Sequence, residues 1–181
     1  GLPPGTAYAS SPASVAAAGN LYVAWMDNRN GKFDIYFNRT DDGGYSWLAN
    51  DVRLDLGSAP GAAHSRDPQI QVSGNTIVVC WRDARASSSV SLASIYCNRS
   101  LDGGLTWMPS DVRINTGVAP GQSLAMLQTI SCEGSEVFVT WEDTRSGGRD
   151  IYFNRSSDSG ATWMANDIRI DTGDLAGSAN S

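Results

Sequence analysis

Three copies of one pattern run the length of this 181-residue chain. The strongest marker is an acidic, glycine-bearing segment that ends in tryptophan, and it reads TDDGGYSW at 40–47, SLDGGLTW at 100–107 and SSDSGATW at 156–163. Three other segments recur in the same order in every copy; in the middle copy they read WRDAR at 81–85, SIYCNR at 94–99 and DVRI at 111–114. Such a repeat indicates an array of similar units, each packed on its neighbour.

Each unit predicts four short β-strands. In the middle unit the alternating run PQIQVSG stops at the turn signal Gly74-Asn75, and the β-rich runs TIVVCW, SIYCNR and DVRIN follow it. Glycine-containing dipeptides between the runs are typical of hairpin turns. Consecutive four-stranded antiparallel units are the blades of a β-propeller, so we expect an all-β repeat domain with blades at about 1–57, 58–117 and 118–181.

The charge and the histidine content of the chain argue against several classes of binding partner. Hydrophobic residues make up 41% of the chain, which is typical of a globular protein, and the formal net charge is −6. An acidic protein is a poor ligand for nucleic acid or for an anionic membrane, since both require a basic face. His64 is the one histidine, which removes any zinc site with several histidines, and we expect no metal and no cofactor.

The cysteines leave two interpretations open. Cys80, Cys97 and Cys132 are odd in number and hold no repeated position, which is not the pattern of a disulfide framework. Buried small hydrophobic side chains are the favoured interpretation. The alternative is a bridge between Cys80 and Cys97 on neighbouring strands.

The acidic segments share the pattern [ST]-x-D-x-G-x-[ST]-W, which resembles the Asp-box, or BNR repeat, of sialidase-like β-propellers. In that family the boxes lie away from the active-site face, so the resemblance implies a structural role. It also implies a secreted or extracellular protein. The box residues that carry the resemblance are Asp42, Gly44, Trp47, Asp102, Gly104, Trp107, Asp158, Gly160 and Trp163.

The chemistry of these residues fits a self-contained turn between the third and fourth strands. The aspartate accepts hydrogen bonds from backbone N–H groups of the turn, and the following serine or threonine hydroxyl closes the loop. The glycine permits the tight bend. We expect the tryptophan ring to be buried beneath the turn, with its indole N–H directed at a carbonyl oxygen.

Candidate ligand-binding residues lie at the opposite end of the blades. Strand direction alternates, so the hairpins between second and third strands share one face with the connectors between blades, and loops on such a face often carry function. The candidates there are Tyr8, Asp27, Arg29, His64, Arg66, Asp83, Arg85, Asp143 and Arg145. Each repeated arginine is expected to pair with the aspartate two residues before it or with a backbone carbonyl. Residues that break the repeat are freer to serve a ligand, and these are Tyr8, Lys32, His64, Arg66, Arg82, Glu142, Arg149 and the segment 86–94.

Two functions stay open. The first is a non-catalytic module that binds a glycan or peptide or serves as a scaffold. The second, implied by the resemblance, is a sialidase-like glycoside hydrolase, which would hold a sugar carboxylate with three arginines. The Phe-Arg-Ile-Pro segment of that family is absent, and the glutamates, Glu133, Glu136 and Glu142, all fall in the third unit.

Three blades are fewer than the four to eight of closed propellers. We expect two chains to join as a homodimer that closes a six-bladed ring. The alternative is that the sequence is a fragment of a larger propeller protein.

Overall fold

The chain folds into short β-strands in a computed structural model, which describes residues 6–87, 89, 91–173 and 175–178. These residues contain no helix, and therefore none long and apolar enough to cross a membrane. The strands are β1 (Ala9–Ala17), β2 (Asn20–Asp27), β3 (Asp34–Thr40), β4 (Val52–Arg53), β5 (Ser65–Ser73), β6 (Thr76–Asp83), β7 (Ser94–Ser100), β8 (Val112–Arg113), β9 (Ala125–Glu133), β10 (Glu136–Asp143), β11 (Asp150–Ser156) and β12 (Ile168–Arg169).

The strands form three separate four-stranded sheets, each antiparallel and each in the order of the chain. We call them blade 1 (β1–β4), blade 2 (β5–β8) and blade 3 (β9–β12). The all-β class and the four-strand unit predicted from the repeat are confirmed. The alanine-rich segment 13–17 belongs to strand β1.

The fourth strand of each blade is shorter than the sequence suggests. The DVRIN run predicts a full strand, yet β8 contains only Val112 and Arg113. The matching arginine of blade 1 shows the reason, because Arg53 donates to the carbonyl oxygens of Asp55 and Ser58 at 2.7 and 2.9 Å. These bonds hold the chain in a turn directly after the arginine, which ends the strand.

The hydrophobic core lies between the blades. One cluster joins one side of blade 1, including Ala24 and Phe37, to the facing side of blade 2, including Val79 and Trp81. A second cluster joins the opposite side of blade 2 to blade 3, where Trp141 is buried. Blade 2 is thus covered on both sides, since alternate residues of each strand point to opposite faces.

Cys80 and Cys97 form a disulfide bond that links β6 to β7 inside this second cluster. The two residues are direct partners in the strand register. The bridge that the sequence left as an alternative is therefore present, and the favoured interpretation of unbonded buried cysteines is wrong for this pair. Cys132 is a free thiol, and burial raises its pKa to about 11.

The connectors between blades meet the hairpins that join second and third strands. The backbone N–H of Lys32, in the β2–β3 hairpin, donates to the carbonyl oxygen of Gly61, in the connector to blade 2, at 3.2 Å. A Cβ at Gly121, in the next connector, would lie 2.5 Å from the carbonyl oxygen of Ala86. Hairpins and connectors therefore share one end of the blades, which we call the loop face.

Candidate functional site

One arginine per blade ties the end of the second strand to the segment before the fourth. In blade 2, Arg85 Nη2 lies 2.6 Å from Asp83 Oδ2 and 2.6 Å from Asp111 Oδ2. The guanidinium also lies over the Tyr96 ring, 4.1 Å from its centroid. The outer blades repeat these contacts with Arg29, Asp27, Asp51 and Tyr36 in blade 1 and with Arg145, Asp143, Asp167 and Tyr152 in blade 3.

The predicted pairing of each arginine with the aspartate two residues before it is present in all three blades. Burial alone would lower the pKa of Arg85, but its hydrogen bonds to Asp83 and Asp111 outweigh burial and raise the pKa above its usual range. The second aspartate was not predicted, although the repeated D-[VI]-R segment is its sequence signal. These arginines and aspartates, proposed as ligand-binding residues, are already engaged with each other.

The acidic turns lie at the far end of the blades. In blade 2, Asp102 accepts bonds from the Thr106 hydroxyl at 2.6 Å, the Thr106 N–H at 2.9 Å and the Ser100 hydroxyl at 2.7 Å. These bonds, the Thr106 hydroxyl first, hold the pKa of Asp102 well below its usual range. Asp42 and Asp158 make the matching bonds to Ser46 and Thr162.

In these turns the glycines adopt the predicted conformation, but two of the tryptophans do not make the predicted hydrogen bonds. Gly44, Gly104 and Gly160 have φ values of 97°, 88° and 87°, which glycine adopts without strain. The expected indole bond is not formed at Trp107 and Trp163, whose buried Nε1 atoms have no hydrogen-bond partner. Their rings pack against the neighbouring blade, which sets their position. Trp47, of blade 1, is 44% exposed.

A group of basic side chains on the loop face joins blade 1 to blade 2. We call Lys32, His64, Arg66 and Arg82, with the ring of Phe33, the cationic cluster. The Arg66 guanidinium lies 5.4 Å from the Phe33 ring centroid, and the His64 ring lies 5.8 Å from it. A small cleft is lined by Lys32 and His64, and a second by His64, Arg66 and Arg82.

Strand register creates this cluster. Arg66 in β5 is the direct partner of Arg82 in β6, and like charges placed opposite each other destabilise a sheet. The same position holds Ser10 with Met26 in blade 1, so the clash is a feature of blade 2. Departures from local rules are found at functional or strained sites, which makes this position a candidate.

Among the described residues Arg82 has a carboxylate partner and Arg66 has none. A left-handed residue interrupts β5 at Asp67, with φ 53°, and places its carboxylate 2.5 Å from Arg82 Nε. Within the described residues no carboxylate lies at ion-pair distance from Arg66 or Lys32, and the buried Nε of Arg66 has no hydrogen-bond partner. Two positive charges are left open to a ligand.

The pKa of His64 is affected by the positive charges of this cluster. Burial, followed by the positive charges of Arg66 and Lys32, lowers its pKa. Its Nδ1 accepts the backbone N–H of Phe33 at 3.4 Å, which a neutral ring permits. Burial and the neighbouring positive charges thus both act against protonation of the imidazole.

The remaining sequence candidates are placed apart from one another. Tyr8 holds the same repeat position in blade 1 as His64 in blade 2, is 71% exposed, and is fixed through its backbone to Asn28. Glu142 pairs with Arg149 at 3.3 Å in blade 3. Ser88 and Val90, of the segment 86–94, lie outside the described residues. Phe33 was missed by sequence reasoning, because only its contact with Arg66 marks it.

A buried carboxyl group bonds to Ser65, the residue between His64 and Arg66 in the chain. Asp55 is fully buried, and burial raises its pKa to about 7. The Ser65 hydroxyl lies 2.6 Å from Asp55 Oδ2 and 2.9 Å from Asp83 Oδ2. A hydroxyl donates one proton, so a protonated Asp55 that donates to Ser65 satisfies all three groups.

We expect Asp55→Asn to flatten the pH dependence of stability. The folded protein holds a proton on Asp55 that the unfolded chain releases, so the group's stabilising contribution is greatest below about pH 4 and is lost as pH rises to about 7. The amide removes the cost of the buried charge but gives up its attraction to Arg53, so a gain of roughly 1–2 kcal/mol at pH 8 is expected. Thermal unfolding from pH 4 to pH 8 measures this.

Blade 2 provides the reciprocal variant. Asn115 stands at the same repeat position and accepts from Arg113 Nε at 3.0 Å, which shows that an amide fits there. Asn115→Asp should lose stability as pH rises. An identical slope in wild type and Asp55→Asn would show that Asp55 is ionised throughout this range.

Among the described residues, no group of three histidine, cysteine, aspartate or glutamate side chains is arranged to hold a metal ion.

Comparison with known proteins shows the fold. No protein-family profile matches the sequence, and no curated protein sequence matches it. The α-L-arabinanase of Penicillium chrysogenum, solved with arabinobiose, superposes with a TM-score of 0.62 at 16% identity, over 89% of this chain and 49% of that one. Trypanosoma rangeli sialidase, solved with the inhibitor DANA, gives 0.62 at 13% identity, over 90% and 31%. A family 117 glycoside hydrolase of Zobellia galactanivorans gives 0.61 at 10% identity, over 92% and 57%.

The chain spans about half the length of the arabinanase and of the family 117 hydrolase, and about a third of the sialidase. Similarity at such low identity establishes architecture and leaves activity open. What these structures share with the three sheets of this chain is a fold, that of the sialidase-like β-propellers.

Proposed function

We propose that this chain is a non-catalytic glycan-binding module that takes the carboxylate of an acidic sugar at the cationic cluster. One observation carries the proposal: among the residues that the structure describes, Arg66 and Lys32 have no carboxylate partner, while every repeated arginine of the Asp–Arg pairs has two. In a chain of net charge −6, acidic groups to pair with them are plentiful. Their isolation beside a cleft supports a role in holding an anion from outside.

The geometry suits a sugar carboxylate. A guanidinium offers two parallel N–H donors to the two carboxylate oxygens, and a lysine ammonium adds a point charge. Phe33 lies against the Arg66 guanidinium, and this contact limits the freedom of the arginine before a ligand arrives. His64, which lines both clefts of the cluster, adds a hydrogen-bonding group for sugar hydroxyls.

The solved structures support a glycan more than a peptide as ligand. The arabinanase contains arabinobiose, and an N-acetylgalactosamine deacetylase from F. plautii with a TM-score of 0.57 contains a blood group B trisaccharide. The proposal extends their ligand class, though not their reactions, to this chain. A secreted or extracellular location agrees with the Cys80–Cys97 disulfide, because such bonds persist in oxidising compartments.

Arg66→Gln should weaken binding of an acidic glycan by about 10-fold or more, because the variant loses a charge-assisted contact. Calorimetric titrations with digalacturonate and 3′-sialyllactose, and with arabinobiose and lactose as neutral probes, measure this. The acidic probes should bind more weakly as salt rises. Arg149→Gln removes an exposed arginine of blade 3 that already has a partner, and it is the matched control.

Each other outcome argues against the proposal. Equal affinity for acidic and neutral probes would show that the cationic cluster does not bind a sugar carboxylate. Binding of peptides through their C-terminal carboxylate would assign the site to a peptide. Turnover of a fluorogenic sialoside or arabinoside would favour the glycoside hydrolase, and binding of none of these probes would favour a scaffold.

A further inference from the structure

The two contacts between blades within the chain are built in the same way. The backbone N–H of Gly57, at the end of blade 1, points to Asp111 Oδ2 of blade 2 at 3.4 Å. The N–H of Gly117, at the end of blade 2, points to Asp167 Oδ1 of blade 3 at 3.0 Å. A glycine that follows the fourth strand therefore caps the Arg–Asp pair of the next blade.

A side chain at either of these two glycines would displace the ion pair of the next blade. A Cβ at Gly57 would lie 1.6 Å from Arg85 Nη1, and one at Gly117 would lie 2.3 Å from Asp167 Oδ1. Gly173 holds the same repeat position in blade 3, yet no atom of the described residues, its chain neighbours aside, lies within 4 Å of a Cβ placed there. Its φ is not in the left-handed region, so the backbone does not require glycine at 173. The glycine suits an approach by an arginine that blade 3 does not itself provide.

A second pair of contacts repeats beside the first. Asn98 Nδ2 of blade 2 donates to the Leu54 carbonyl of blade 1 at 3.1 Å, and Asn154 Nδ2 of blade 3 donates to the Ile114 carbonyl of blade 2 at 2.9 Å. Next to the first of these bonds, Phe37 of blade 1 meets the edge of the Trp107 ring at 4.8 Å between centroids. The asparagine–carbonyl bond thus recurs at both contacts between blades, and at the first of them an aromatic contact lies beside it.

The outer side of blade 3 carries the unpaired half of this contact. Leu54 and Ile114 are fully buried, whereas Ile170, at the same position, is 48% exposed. Phe153 stands where Phe37 stands in blade 1, and it stacks only on Phe138 of its own blade, at 6.3 Å. This side presents an apolar strip that ends at Gly173.

The outer side of blade 1 carries the other half. The side chain of Arg29 is 37% exposed, against 12% for Arg85 and 10% for Arg145. Its partner Asp51 is also more exposed than Asp111 and Asp167, since no glycine N–H caps it. Trp47, the counterpart of Trp107, is exposed as well.

We propose that the outer side of blade 3 binds the outer side of blade 1 of a second copy of this chain. The pairing places Gly173 against Arg29 and Asp51, and Phe153 against Trp47, as the repeat dictates. Because each copy carries both halves, two copies related by a two-fold axis form two such contacts, and the dimer closes at six blades. The inference stands apart from glycan binding, since none of these residues belongs to the cationic cluster.

Gly173→Val tests this contact. Valine has free space in the single chain but would overlap Arg29 of the second copy at both contacts, so the dimer dissociation constant should rise about 100-fold or more. Thr172→Val is the matched control, because the equivalent residues Leu56 and Thr116 stay exposed at the internal contacts. Light scattering on a sizing column gives the mass, and circular dichroism verifies the fold.

Wild type and Thr172→Val at twice 19.2 kDa, with folded Gly173→Val at 19.2 kDa, would establish the contact. A wild type of 19.2 kDa at 100 μM would overturn it, and so would larger open assemblies. A dimer that Gly173→Val leaves intact would place the interface elsewhere. Glycan titrations of the monomeric variant test the glycan-binding proposal independently of the dimer contact.

Discussion

Replacement of Arg85 by alanine is expected to destabilise the protein by about 3–5 kcal/mol, the range for a buried ion pair that loses one partner. The side chains of Asp83 and Asp111 have 0% and 2% exposure, and both rely on this guanidinium. Without Arg85, two carboxylates 2.6 Å from the same nitrogen are left buried and uncompensated. Thermal unfolding should begin roughly 10 °C lower.

Two further variants calibrate this result. Arg145→Ala removes the matching arginine of blade 3 and should have a similar effect, since its pairs are equally buried. Arg149→Ala removes an arginine with 49% exposure, for which 0–1 kcal/mol is expected. If Arg85→Ala destabilised the protein as little as Arg149→Ala, the Asp–Arg pairs would not be what holds the strands of each blade together.

Loss of the Cys80–Cys97 disulfide should cost about 3 kcal/mol, because the bond closes a loop between residues 17 apart in sequence. Reduction of the wild type with dithiothreitol, or the double variant Cys80→Ala with Cys97→Ala, should lower the unfolding temperature by roughly 6–12 °C. Once both cysteines are replaced, the reductant should have no further effect. Cys132→Ala is the control, because this cysteine is not bonded and should leave the reductant response intact.

The repeat itself suggests a rescue variant. Blade 1 places Ala24 opposite Phe37 where blade 2 places the two cysteines. Cys80→Ala with Cys97→Phe copies that pair and should recover part of the lost stability, since a Cβ at the facing Gly160 would still leave 3.8 Å to its nearest neighbours. A double alanine variant as stable as the wild type would show that the bond contributes nothing.

The architecture and the local turn chemistry could be predicted from the sequence because both depend on short-range patterns. Alternation marks the strands, and the partners of Asp102 lie within four residues of it. The pairing of Arg85 with Asp83 is equally local. The same reasoning placed Arg66 and Arg82 among the residues that break the repeat.

The other contacts could not be predicted, because they depend on how residues far apart in the sequence are paired in the fold. The bond between Cys80 and Cys97 requires that the hairpin between them pair these two residues, which their spacing alone does not reveal. Asp111 reaches Arg85 from 26 residues away, and only the fold brings Phe33 to Arg66. The indole groups failed to find carbonyl oxygens because contact with the neighbouring blade, and not the turn, decides where the rings lie.

The coverage of blade 2 on both sides has a consequence for how the protein loses its structure. In a linear array each unit is held by its own contacts and by those with its neighbours. Blade 2 has two neighbours and an internal covalent bond, whereas each outer blade contacts one neighbour within the chain. Local opening therefore starts at the outer blades and reaches the centre last, and the connectors on either side of blade 2 are its boundaries.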